Sequence, residues 1–161
     1  MNFAVIYMSK HGTTEKIAKI IRIELNNSNV KLFNLKKTKK IDLEQFDIII
    51  IGGSIHAGSI QAKLRKFMKK NLISLSKKRI ALFLVCMQKG EKCKLLFNNA
   101  FPTELREISI ANGYLGGEFI FDNMNFIERA LVKMISGETS NVNQIDNNAI
   151  ENFINKITLL T

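Results

Sequence analysis

The apolar positions along this chain change rhythm several times, and the changes mark its elements. Asn2-Phe-Ala-Val-Ile-Tyr-Met8 is a nearly unbroken apolar run and reads as a buried strand. It breaks into Ser9-Lys10-His11-Gly12-Thr13-Thr14, after which Ile17, Ala18, Ile20, Ile21 and Leu25 recur at helical spacing. Val30–Leu35 predicts a second strand. Asp47–Gly53, with four consecutive isoleucines, predicts a third that is covered on both faces. Leu64, Phe67 and Met68 form an i, i+3, i+4 helix stripe. Arg79–Cys86 is a fourth buried strand, Leu95, Leu96 and Ala100 suggest a helix closed near Pro102, and Ile108–Leu115 reads as a fifth strand. The polar stretch 136–147 reads as a loop, and Ala149, Ile150, Phe153, Ile154 and Ile157 give a final amphipathic helix.

Strands alternating with helices predict the α/β class, as an open, doubly wound five-stranded parallel sheet with helices on both faces. No repeat, low-complexity tract or linker divides residues 1–161, so a single domain is expected. One more helix needs a place. Phe126, Ile127, Ala130, Leu131, Met134 and Ile135 form a narrow apolar stripe, read as the last crossover helix packed on the sheet. The competing reading makes its start, with the lead-in from Gly116-Gly117 to Asn125, a mobile lip. Phe119, Phe121, Met124 and Phe126 would then offer apolar area to a quinone or a bilayer.

Charge is laid down unevenly. Residues 1–94 hold 20 Lys/Arg and 6 Asp/Glu, whereas residues 95–161 hold 4 and 8, within a net charge of +10. The basic runs, Lys36–Lys40, Lys63–Lys70 and Lys77–Arg79, neither interleave aromatics nor form a nucleic-acid motif, so no nucleic-acid partner is expected. They read first as a solvated face, and second as a surface for an anionic membrane or an acidic partner. No apolar run approaches the ~20 residues of a membrane span, and no basic n-region precedes the first strand. Cys86 and Cys93 make neither a C-x-x-C pair nor a zinc pattern, which agrees with a reducing compartment. A cytoplasmic protein is expected, with peripheral contact at the inner face of the membrane as an extension of the basic-face reading.

In doubly wound sheets, ligands sit beyond the carboxyl ends of the strands. Three segments here fit that position: Ser9–Thr14, then Gly53-Ser54-Ile55-His56-Ala57-Gly58, then Cys86-Met87-Gln88-Lys89. The first opens a helix, where unpartnered amides, the helix dipole and the hydroxyls of Ser9, Thr13 and Thr14 favour a phosphate. Neither a Walker loop nor a G-x-G-x-x-G fingerprint is present. His11 and His56, without neighbouring carboxylates in sequence, make a poor metal site, and no metal is expected. No residue is assigned as a catalytic acid or base.

Ser9-Lys-His-Gly-Thr-Thr14 after an N-terminal strand, together with Asp47-Ile-Ile-Ile-Ile-Gly-Gly-Ser-Ile-His-Ala-Gly58, resembles the flavodoxin-like family. Within that family, Ala62–Lys70 and Arg129-Ala-Leu-Val-Lys-Met-Ile-Ser-Gly-Glu-Thr139 are similar to segments of the flavodoxin-type, menaquinone-dependent protoporphyrinogen dehydrogenases. The resemblance implies FMN, with Ser9, Lys10, His11, Gly12, Thr13 and Thr14 cradling its phosphate. Ser54, Ile55, His56, Ala57 and Gly58 on one side, and Cys86, Met87, Gln88 and Lys89 on the other, would flank its ring. It further implies an oxidoreductase of haem biosynthesis with a porphyrinogen-like substrate and a quinone acceptor. A plain electron-transfer flavodoxin with a redox-protein partner is the alternative. The chain departs from flavodoxins in lacking an aromatic in the second and third segments, which leaves His56 or Met87 to face the ring.

Overall fold

The computed structural model describes residues 1–26 and 29–160. In chain order its elements are β1 (Asn2–Tyr7), α1 (Thr13–Glu24), β2 (Asn29–Asn34), β3 (Ile48–His56), β4 (Ser59–Ile60), α2 (Ala62–Lys70) and α3 (Leu72–Leu75). Then come β5 (Arg79–Val85), α4 (Gly90–Ala100), α5 (Thr103–Glu107), β6 (Ser109–Tyr114), β7 (Gly116–Phe119), α6 (Phe126–Ser136), β8 (Val142–Ile145) and α7 (Asn147–Leu159). Five strands run parallel in the order β2-β1-β3-β5-β6, the doubly wound arrangement expected from the alternation of elements.

The four isoleucines of β3 show why a strand buried on both faces does not alternate. Ile49 and Ile51 enter one core with Ala4, Ile6, Leu82, Leu64, Met68 and Phe97, under α2 and α4. Ile48 and Ile50 enter the other with Phe3, Val5, Phe83, Ile17, Ile21, Ile150 and Phe153, under α1 and α7. Every position is inward-facing, so the sequence shows a continuous run.

Four elements depart from expectation. Ser54–His56 continues β3 and turns back through Ala57-Gly58 into β4, so the second segment is a hairpin. Both turn residues have positive φ, 48° at Ala57 and 76° at Gly58, the conformation that matches the twist of a two-residue hairpin. The polar stretch 136–147 contains β8, which pairs antiparallel with β7 in a separate two-stranded sheet. In α4 the inward face is Cys93, Phe97 and Ala100, and Leu95 points to solvent.

The largest departure is α6. It has no fully buried residue, and α7, not α6, is the last helix packed on the sheet. Phe126, Ile127 and Met134 are 85%, 76% and 78% exposed, so that part of the stripe faces outward, while Leu131 and Ile135 line a cleft and none of it covers the sheet. Phe121, which the competing lip reading would expose, is buried. Among the described residues, no helix is long and apolar enough to cross a membrane.

Candidate functional site

A cleft of about 540 Å³ opens at the carboxyl ends of β1, β3 and β5. Ser9, Lys10, His11, Thr13 and Thr14 line one end; Ser54, Ile55, His56, Ala57 and Gly58 line one side; Cys86, Met87 and Gln88 line the other. Gly12 and Lys89 do not line it. Gly12 shapes the turn instead, and Lys89 borders a neighbouring cavity as the residue preceding α4. The parallel register explains this convergence, because β1 and β5 end beside neighbouring positions of β3, Tyr7 beside Gly52 and Val85 beside Ser54, and β3 runs on to His56.

The first turn is built by its own residues. Gly12 takes φ 104°, where a side chain would be strained, and this lets the chain swing into α1. Its N–H is satisfied by Ser9 Oγ at 3.1 Å. No side chain caps α1, so its first amides have no side-chain partner, and Ser9, Thr13 and Thr14, all three buried, line the cleft at this helix start. This set of donors suits an anion.

The hairpin is held by Gln61, which sequence reasoning missed because no spacing or motif singles it out. Gln61 Oε1 accepts from the Ser54 N–H at 3.2 Å, and its Nε2 donates to Ser54 Oγ at 2.7 Å and to the Met8 carbonyl at 3.3 Å. The same Ser54 hydroxyl is hydrogen-bonded to His56 Nε2, 3.0 Å away. Burial, reinforced by His11 and Lys10 nearby, pushes the His56 imidazole down to about 4, so it is neutral at pH 7. The His11 and His56 rings lie 5.6 Å apart at a tilt of 58°.

The remaining wall comes from β7, α6 and the segment joining them. Glu118, Met124, Glu128, Leu131, Val132 and Ile135 line the cleft. Glu128 pairs with Lys10, and His11 Nε2 lies 3.5 Å from the same carboxylate oxygen. The hydrogen bond from Lys10 holds the Glu128 carboxyl below the usual carboxylate range, against the opposing effect of burial. Lys16 reaches Glu118 at 3.4 Å. Two ion pairs, Lys10–Glu128 and Lys16–Glu118, therefore fasten this wall to the first turn and α1. The one sequence signal for them was the Asn125-x-x-Glu128 capping pattern, which the structure completes in both directions.

The sequence profile of the Flavodoxin domain matches residues 4–146. Protoporphyrinogen IX dehydrogenase [quinone] of Escherichia coli is 22% identical over an alignment covering 100% of this chain and 97% of that protein. An uncharacterised protein of Methanocaldococcus jannaschii is 34% identical over 84 residues; the match spans 52% of this chain and about half, 53%, of that relative. Among solved structures, a short-chain flavodoxin associated with a non-canonical PDU bacterial microcompartment superposes with a TM-score of 0.61 at 15% identity, covering 99% of each chain. Oxidised flavodoxin 1 from Bacillus cereus gives 0.57 at 16% identity, covering 100% of each.

Proposed function

This chain belongs to the Flavodoxin domain family, and on that premise we propose that it takes hydrogen from a porphyrinogen-like substrate and passes the electrons to a quinone. FMN is the cofactor of such an oxidoreductase, and the residues present fit it. The hydroxyls of Ser9, Thr13 and Thr14 with the uncapped amides of α1 would hold its phosphate, a dianion that amides at a helix start accommodate without an arginine. His56 and Met87, on opposite sides of the cleft, would face its ring. When bound, FMN supplies the redox chemistry, accepting and releasing electrons one or two at a time.

The protein's own part is to position and to shield. Gln61 and Ser54 fix the His56 ring, which stays neutral and adds no charge against the flavin. Leu131, Val132 and Ile135 roof the cleft and limit water on one side. The observation carrying the reading is a cleft with a polar phosphate end whose two side segments, Ser54–Gly58 and Cys86–Gln88, contain no Phe, Tyr or Trp. Among the described residues, Phe119, from β7, is the one Phe, Tyr or Trp that lines the cleft, and beside it a large planar reactant would have room to approach the ring. The full-length likeness to a quinone-linked protoporphyrinogen dehydrogenase supports that substrate class. A quinone resides in lipid, and the outward stripe of α6, flanked by Arg129 and Lys133, supports contact with an anionic membrane surface.

The absorbance spectrum of the purified protein is the first test, and a protein that neither carries nor takes up a flavin overturns the reading. The second compares reoxidation of the reduced protein by a menaquinone analogue and by a small redox protein. Faster transfer to the quinone supports the enzyme; faster transfer to the protein makes the chain an electron-carrier flavodoxin.

A further inference from the structure

The chain carries a net charge of +10, yet its cleft is lined mainly by acid. Among the described residues, Lys10 is the one Lys or Arg in the lining, against three carboxylates, Glu118, Glu128 and Glu138. His56 adds no charge at pH 7. Glu118 is paired with Lys16, which lies outside the lining. Glu128 differs, because it engages the cleft's own lysine. Its Oε1 pairs with Lys10 Nζ and stands 3.5 Å from His11 Nε2. Its Oε2 accepts from the Asn125 N–H at 3.0 Å, and its own N–H donates to Asn125 Oδ1 at 2.9 Å. The capping box thus fixes this carboxylate at the start of α6, against the first turn. The Lys10 hydrogen bond holds the carboxyl below the usual carboxylate range, so it is charged at neutral pH.

The same turn offers an anion the hydroxyls of Ser9, Thr13 and Thr14 and the first amides of α1, all of them neutral donors. A phosphate entering here meets a lysine that is already neutralised and a fixed negative charge in the same cleft. We propose that Glu128 sets the affinity for the flavin phosphate by opposing it, so that FMN is held more loosely than the turn alone would hold it and exchanges readily with free flavin. The inference rests on the FMN reading of the cleft. It concerns the phosphate alone, since riboflavin brings no charge for Glu128 to repel. Lys10 acts in the opposite sense, and the two side chains limit each other through their pair.

The test is titration of the flavin-free, full-length protein with FMN and with riboflavin at low salt, the fold followed by circular dichroism. Glu128→Gln removes the charge and keeps a side chain that a capping box accepts. It should tighten FMN about ten-fold and leave riboflavin within about two-fold. Lys10→Met, which leaves the carboxylate unbalanced, should weaken FMN by a similar factor and spare riboflavin. The double variant, Lys10→Met with Glu128→Gln, has the wild-type balance of charge in the cleft, and its FMN affinity should return to within about three-fold of wild type. FMN binding unchanged or weakened in a folded Glu128→Gln, or riboflavin tightened as much as FMN, would overturn the assignment. If Glu128→Gln does not fold, Lys10→Met decides: an equal effect on both ligands, or none on either, would overturn it. Wild type taking up neither flavin would overturn the FMN reading and this inference with it, whereas FMN uptake that is indifferent to the Glu128 charge overturns this inference alone.

Discussion

His11 Nδ1 stands 3.0 Å from the main-chain carbonyl of Asn123, and the Asn123 side-chain amide donates back to the His11 carbonyl at 3.1 Å. This reciprocal pair joins positions 112 apart in sequence and fixes the lead-in of α6 against the first turn. Asn123→Ala should free that lead-in. Hydrogen exchange across residues 121–136 is expected to quicken by about five-fold, from the loss of ~1 kcal/mol, while the parallel strands exchange as before. Uniform acceleration through the sheet would mean that Asn123 supports the whole fold.

Thr14 is buried at the start of α1 and lines the cleft. Thr14→Ala should weaken FMN about ten- to a hundred-fold, since a hydrogen bond to a charged group contributes roughly 1.5–3 kcal/mol. Riboflavin, which lacks the phosphate, should bind almost unchanged. Titrating apo-protein with each ligand distinguishes this from a helix-start role, which would weaken both equally.

Ala57 is the one non-glycine at positive φ among the described residues. Replacing it with Gly relieves a left-handed Cβ contact of roughly 1–2 kcal/mol, partly offset by the greater freedom of an unfolded glycine. Ala57→Gly is expected to be more stable by about 0.5–1 kcal/mol in urea unfolding, and Ala57→Val less stable than wild type.

His56 gives the protein an acid limb. The unfolded chain takes up a proton at this imidazole near its ordinary value of 6.5, and the folded chain only near 4. Between those values the unfolded state binds more protons, so this contribution to stability is fully present above pH 6.5 and is lost as the pH falls toward 4. Allowing for partial solvent screening of the ring, the loss is about 2 kcal/mol. His56→Gln should flatten that limb in chemical denaturation at pH 4.5 and 7, and an unchanged slope would remove His56 as its source.

The outward face of α6 predicts salt-sensitive binding to anionic vesicles and none to neutral ones, each nearby Lys or Arg adding ~1 kcal/mol. Phe126, 85% exposed, is the residue to change. Phe126→Ser should reduce vesicle binding about ten- to a hundred-fold, following the ~1.5–3 kcal/mol of a buried phenyl, with the fold intact. Absence of co-sedimentation at low salt would remove the membrane contact.

The parallel sheet, α1 and α7 were legible because continuous isoleucine runs and helical spacing are direct imprints of two-sided and one-sided burial. The first turn was legible because Ser9, Gly12, Thr13 and Thr14 adjoin one another. Other parts were not. Ser54–Gly58 contains no Asn-Gly or Asp-Gly signal, and Ala57 occupies a conformation alanine seldom adopts, so the hairpin read as a loop. Gln61 acts on Ser54 and Met8 through contacts that leave no local pattern. The stripe of α6 was correctly read as a helix face and wrongly assigned to the sheet, because amphipathicity records that a face is apolar and not what lies against it.

The capping box at Asn125 and Glu128 and the left-handed Gly137 close α6 at both ends. Its helical form therefore depends on local bonds and on the first turn of the cleft, and not on whatever meets its outer face. A partner would encounter a surface already in its bound shape, with only side-chain rotamers of Phe126, Ile127 and Met134 left to settle. Little backbone disorder is lost on contact, so the rate of capture should follow diffusion and electrostatic attraction, with no slow folding phase and a steep fall as ionic strength rises.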